Sequence, residues 1–202
     1  MIADHINKAT RKVPAWPLYI VGALPLVWLF WQGVTGGLGV DPVKEMEHQM
    51  GLWGLWLLIA GLCITPLQRY AGIRLIKYRR AIGLLAFFYI AMHLLIWLVL
   101  DVQILGQIIA DIYKRPYITI GMLAFVLLIP LALTSNNWSI RKLGPRWRQL
   151  HKLVYVAVLL GGIHFFMLVK GFQIEPLVYL GVITVLLALR LPMARRKRPA
   201  SA

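Results

Sequence analysis

Residues 81–100 read AIGLLAFFYIAMHLLIWLVL, twenty positions with no charged side chain and a single imidazole, His93. An α-helix rises about 1.5 Å per residue, so twenty residues cover about 30 Å, the thickness of a bilayer's hydrocarbon core. A helix on the surface of a soluble domain is apolar along one stripe, whereas this stretch is apolar all round. It reads as a transmembrane helix. An ionisable group inside such a helix is costly unless paired or coordinated, which makes His93 a candidate functional residue.

Five more windows of the same kind flank it, at 16–31, 51–66, 117–133, 150–169 and 176–191. Hydrophobic residues make up 60% of the 202, against roughly 45–50% in soluble domains, so lipid is the main solvent. The fold expected is an all-α integral membrane bundle of six transmembrane helices. Loops are short, no internal repeat stands out, and residues 1–202 form a single domain. Pro17, Pro116 and Pro176 suit first helical turns. Pro25 and Pro130 fall inside spans, where the missing N–H predicts kinks. Gly33, Gly36, Gly37 and Gly39 end the first helix in a loop.

The formal charge of +15 would suggest nucleic acid as a partner in a soluble protein. Here the charges lie in blocks between apolar segments, and no nucleic-acid partner is expected. Counting alternate loops, 18 of the 22 Lys and Arg fall on one side: Lys8, Arg11 and Lys12; Arg69, Arg74, Lys77, Arg79 and Arg80; five between Arg141 and Lys152; five between Arg190 and Arg198. The other side has Lys44, Lys114, Arg115 and Lys170, with six of the seven acids. Basic residues are retained in the cytoplasm, so both termini are expected there. The basic start before the first apolar run resembles a signal peptide, but no small-x-small cleavage site follows, and the run is read as a retained helix. Trp16, Trp31, Trp53, Tyr117, Trp138 and Trp147 lie near span ends, where such rings anchor a helix at the headgroup layer.

Cys63 is the one cysteine. It permits no intrachain disulfide and no Cys-x-x-Cys-His attachment, so any haem is held without a thioether bond. Of the five histidines, His93, His151 and His164 fall in or at the end of spans, whereas His5 lies in the N-terminal tail and His48 in an acidic loop, where solvation is the expectation. The third and fifth spans run in the same direction. His93 and His164 lie 12 and 14 residues into them, at depths of about 18 and 21 Å. Two neutral imidazoles facing each other at one level of a helix bundle match bis-histidine haem ligation. His151 lies near the basic end. Thirteen steps separate it from His164, leaving the two roughly 140° apart on a straight helix. Either the helix is distorted, for instance at Gly161 and Gly162, or the two histidines face different surroundings.

Arg79 precedes His93 by 14 residues, nearly four whole turns, so the two share a helix face. It is either one more topology-setting cation or a partner for a haem propionate, a flavin phosphate or, unusually, the haem iron. Zinc would want about four converging ligands, which three dispersed histidines do not supply. The Gly-rich run at 36–39 lacks the strand-turn-helix setting of a dinucleotide site.

Several stretches carry a resemblance: GGLGVDPVKEMEH at 36–48, LCITPLQRY at 62–70, the span around His93, RPYITIG at 115–121 and RKLGPRWRQLHKLVY at 141–155. Over nearly the whole chain they resemble the MsrQ (YedZ) family, haem-binding membrane subunits of a bacterial methionine sulfoxide reductase system. That family is similar to the transmembrane core of ferric reductases and NADPH oxidases, where paired histidines on two helices hold two stacked haems, with spacings near 14 and near 13. The resemblance implies one or two b-type haems, with His93, His164 and His151 as iron ligands. Arg79 stands where the pattern has a fourth histidine, which leaves the ligation of a second haem open. It also implies an inner-membrane relay that takes electrons from the quinone pool or a cytosolic flavin reductase. They pass to MsrP, a periplasmic molybdenum-containing protein that itself reduces the sulfoxide in oxidised proteins. FMN is a further implied cofactor, with no motif to place it.

No nicotinamide-binding or flavin-reductase domain is read in these 202 residues, so hydride chemistry is expected to fall to partners. The alternatives are another ferric-reductase-like or quinol-oxidising cytochrome b, and a transporter or scaffold. The last predicts no chromophore, and transporters more often carry inverted repeats or broken helices.

Overall fold

The computed structural model describes residues 2–169, 171 and 173–190. Lys170, the final position of the sixth predicted span (Leu191) and the basic tail Arg195–Arg198 lie outside the described residues. The described residues form ten α-helices and no strand: α1 Ile2–Lys12, α2 Pro17–Val34, α3 Pro42–Tyr70, α4 Arg79–Ile96, α5 Leu105–Lys114, α6 Pro116–Leu133, α7 Asn137–Leu143, α8 Pro145–Leu150, α9 Leu153–Leu168 and α10 Ile174–Ala188. A 3₁₀ turn, Ile76–Tyr78, leads into α4, and a π-helical turn, Trp97–Val102, extends it.

Five stretches are long and apolar enough to cross a membrane: α2, α3, Ile76–Val102 through α4, α6, and Pro145–Leu168 through α8 and α9. The sixth, α10, is apolar but shorter. The all-α membrane bundle of about six helices is therefore what the chain forms. Helices α1, α5 and α7 are additions that lipid-length windows do not pick out.

Prolines set several helix starts. Pro17, Pro42, Pro116 and Pro145 occupy first-turn positions, where the missing N–H would have had no partner anyway. Asp41 caps α3 by accepting from the Lys44 N–H, one of the orphan donors of a helix start. This start extends α3 well before the expected residue 51, with Met46 and Met50 buried on its first turns.

Two helix pairs form the frame. Helix α3 packs along α4 and α6 along α9, the two largest interfaces in the bundle; α10 covers α9 and α3. Leu55, Leu58, Leu62, Leu128, Leu131, Val158 and Ile183 fill the space between the pairs. Phe87 and Phe125 stack across from α4 to α6 with centroids 5.7 Å apart. Helix α2 is peripheral. Only Leu29 is buried on it, while Trp28 and Trp31, and Trp16 just before it, are exposed, as suits a helix bathed in lipid.

Pro66 lies inside α3 and has no N–H to give the Leu62 carbonyl four residues back. Arg190, just past α10, fills that vacancy. Its Nη2 donates to Leu62 O at 2.6 Å and to Gly61 O at 3.3 Å, and its Nη1 to the Tyr155 hydroxyl at 2.9 Å. A residue expected only to set topology thus ties α10 to α3 and α9.

Candidate cofactor site

Between the two helix pairs, toward the end where the acids gather, lies a cavity of about 360 Å³. That volume is in the range of small-molecule sites. Leu55, Leu58, Phe125, Leu128 and Phe165 form apolar walls, and His93 and His164 line it from α4 and α9. Lys44, Glu47, His48, Asp101 and Arg115 stand among the lining residues, the charged ones near the ends of their helices. Lys44 is paired with Asp41 at 2.9 Å and Arg115 with Asp111 at 3.0 Å.

The two imidazoles are held alike. His93 Nδ1 lies 2.8 Å from the backbone carbonyl of Glu47 on α3, and His164 Nδ1 lies 2.7 Å from that of Tyr117 on α6. A carbonyl only accepts, so each Nδ1 carries the proton and donates it. In the neutral ring this leaves the lone pair on Nε2, and a carbonyl partner of this kind is what fixes tautomer and orientation in metal-bound histidines.

Each acceptor carbonyl is followed, one helical turn later, by a glycine. A Cβ at Gly51 would come within 3.1 Å of His93 Nδ1, and one at Gly121 within 2.7 Å of His164 Nδ1. The rings occupy the space that any larger residue would take. Each helix pair therefore repeats one device: a carbonyl, a glycine four residues on, and a histidine from the neighbouring helix laid over both.

The ring centroids of His93 and His164 are 6.2 Å apart, with planes at 77°. A metal–imidazole bond is about 2 Å long, so two rings bonded to opposite sides of one metal atom have nitrogens about 4 Å apart and centroids about 6 Å apart. The donor set, the spacing and the apolar walls fit a haem between the rings.

The basic end is built differently. His151 is not within α9; it occupies the turn between α8 and α9. The straight-helix geometry behind the expected angle therefore does not apply, and α9 runs unbroken through Gly161 and Gly162. His151 stacks on Trp147 at 3.9 Å, and its Nε2 lies 3.0 Å from Thr134 Oγ1. That hydroxyl also lies 2.6 Å from Pro130 O. With its one proton given to the carbonyl, it accepts from His151 Nε2–H. Arg79 opens α4, is exposed, and is close enough for its charge to act on His151. Neither residue lines the cavity. The four predicted site residues thus divide into His93 with His164, and His151 with Arg79.

Sequence reasoning missed Gly51 and Gly121, and it placed His48 in a loop. His48 instead lies on α3, lines the cavity and has its ring 5.9 Å from that of Phe165. The Asp41–Pro42 start signal is the feature that would have extended α3 back to it.

A histidine-lined cavity between paired membrane helices defines a class, and the family model described as "Ferric reductase like transmembrane component" matches residues 44–162. Relatives named protein-methionine-sulfoxide reductase heme-binding subunit MsrQ match over most of their length. That of Brucella anthropi is 54% identical over 189 residues, 92% of this chain and 86% of the relative. That of Brucella ovis is 53% identical over 188 residues, with the same coverage. The chain belongs to the MsrQ family, within the ferric-reductase-like transmembrane class. No solved structure matches it significantly.

Proposed function

We propose that the chain is a membrane electron-transfer subunit that holds b-type haem between His93 and His164, in a system that reduces methionine sulfoxide in proteins. The observation that carries this reading is the repeated device: two Nδ1–H donors fixed on helix carbonyls, with both rings lining one apolar cavity at ligating separation. Bound there, haem would supply a one-electron carrier, with His93 and His164 to hold it and their hydrogen bonds to tune its potential.

The chain's own residues do the rest. The Glu47 and Tyr117 carbonyls hold the rings and raise their basicity. Leu55, Leu58, Phe125, Leu128 and Phe165 give the cavity apolar walls, and such surroundings limit the reorganisation that accompanies a change of charge. Lys44 and Arg115 are the cations nearest to hand for propionates.

With the basic loops in the cytoplasm of a bacterial inner membrane, the histidine cavity lies toward the periplasm. That is the side from which electrons would pass to an MsrP-type molybdoprotein, the partner in which the sulfoxide is reduced. The donor would be the quinone pool or a cytosolic flavin reductase, with FMN as a second cofactor. A second haem would use His151 and Arg79; ligation through His151 Nε2 would require that nitrogen to release Thr134.

Oxidised and dithionite-reduced visible spectra of the purified protein, with haem and protein quantified on one sample, test the reading. A sharp reduced α-band and a shifted Soret band establish low-spin b-type haem, and the ratio decides between one and two. A colourless, folded preparation from haem-replete cells would overturn it.

A further inference from the structure

Helix α1 has apolar Ile2, Ile6 and Ala9 at helical spacing along one stripe, which Val13, just past its end, continues. A different face of it is pinned to the loop between α3 and α4. Asn7 uses both ends of its amide: Nδ2 donates to Gly72 O at 3.0 Å, and Oδ1 accepts from Arg74 N–H at 2.8 Å. Lys77 Nζ donates to Arg11 O at 3.2 Å, and the Tyr78 hydroxyl lies 3.0 Å from Thr10 O and 2.8 Å from Val13 O. Ile2 and Val13 remain 80% and 51% exposed. A basic amphipathic helix with an open apolar stripe lies in the plane of a membrane surface.

The pinning has an electrostatic consequence. It gathers Arg11, Arg74 and Lys77 around a second cavity, of about 240 Å³, completed by Asn7, Thr10 and Ile76. No carboxylate is among the described residues that line it. Three cations that line one cavity repel one another unless an anion sits among them. Two guanidinium forks and an ammonium suit the oxygens of a phosphate. Ile76, 57% exposed, offers an apolar wall beside them.

We propose that this cavity binds a phosphate group, carried by an anionic phospholipid headgroup at the membrane surface or by a small soluble phosphomonoester. The site is separate from the histidine cavity, and its ligand locks α1 onto the α3–α4 loop.

The full chain, purified in a neutral detergent, is titrated with dioctanoyl phosphatidylglycerol, dioctanoyl phosphatidylcholine, glycerol 3-phosphate and glycerol. Native mass spectrometry counts bound molecules, and melting temperature follows stabilisation. Saturable binding of the glycerol lipid but not the choline lipid identifies a headgroup. Binding of glycerol 3-phosphate but not glycerol identifies the soluble source. Either supports the site, provided that Arg74→Ala with Lys77→Ala weakens binding by about tenfold or more, the scale of losing one or two charge-assisted hydrogen bonds. Asn7→Ala keeps all three cations but unpins α1, and weakens binding too; simple charge attraction would leave it unchanged. Lys142→Ala, a basic-end change outside the cavity, has no effect. Absence of binding by both phosphate ligands, or binding indifferent to all these changes, overturns the proposal.

Discussion

The two ends of the bundle each present histidine, and they present it in opposite ways. At the acidic end, His93 and His164 donate from Nδ1 to backbone carbonyls, which leaves Nε2, the nitrogen far from the main chain, to carry the lone pair. At the basic end, His151 donates from Nε2 to a threonine hydroxyl, which leaves Nδ1, beside its own backbone, as the lone-pair atom. The acidic-end rings meet across a cavity, whereas the basic-end ring is stacked on Trp147. An intramembrane histidine is thus a ligand only as far as its second hydrogen bond allows. Backbone carbonyls orient the rings of His93 and His164, whereas a side-chain hydroxyl orients that of His151.

The sharpest way to break this contrast is to remove each ring in turn. His93→Ala or His164→Ala is expected to abolish the low-spin haem signal of the acidic end. His151→Ala is expected to preserve it, with at most a fall in haem content from a second site. Reduced-minus-oxidised spectra and haem-to-protein ratios of the purified variants measure this. Equal and complete loss from all three would mean one structural role shared by the set, and the distinction between the ends would go with it.

Much of this was legible before any coordinates. Spans are written in long apolar runs because lipid demands uninterrupted apolarity, and the common depth of His93 and His164 follows from helix rise alone. The angular relation of His151 to His164 was not legible, because it assumed a helix continuous from residue 150, whereas the turn before Leu153 sets His151 by local backbone bonds. Nor were Gly51 and Gly121. A glycine in an apolar span has many packing uses, and its role here exists only once a second helix lays a ring over it. Arg190 belongs with these, since its task depends on a proline more than a hundred residues away in the chain.

The glycines sharpen the comparison at intermediate cost. At Gly121 a Cβ would stand 2.7 Å from His164 Nδ1, closer than such contacts occur, while at Gly51 the distance to His93 is 3.1 Å. The atom met is a ring nitrogen already fixed by a carbonyl, so the ring cannot yield without losing that bond. Overpacking of this kind costs about 1–3 kcal/mol. Gly121→Ala is expected to lower haem affinity and shift the midpoint potential, with Gly51→Ala acting in the same sense but less. A redox titration of both variants ranks them. The reverse order would show that the α3–α4 pair is the stiffer half of the site.

The smallest effect tests the basic end alone. Thr134→Val keeps the side chain's shape but removes the hydroxyl that joins Pro130 O to His151 Nε2. A hydrogen bond of this kind contributes about 0.5–1.5 kcal/mol, so a modest fall in melting temperature is expected. The informative reading is the spectrum. Where His151 serves only to fasten the α8–α9 turn to the end of α6, the haem signal is unchanged in shape and amount. Where His151 ligates a second haem through Nε2, the threonine is a competitor for that nitrogen, and its removal raises haem content per protein. One substitution thus separates a histidine that holds a turn from one that waits for iron.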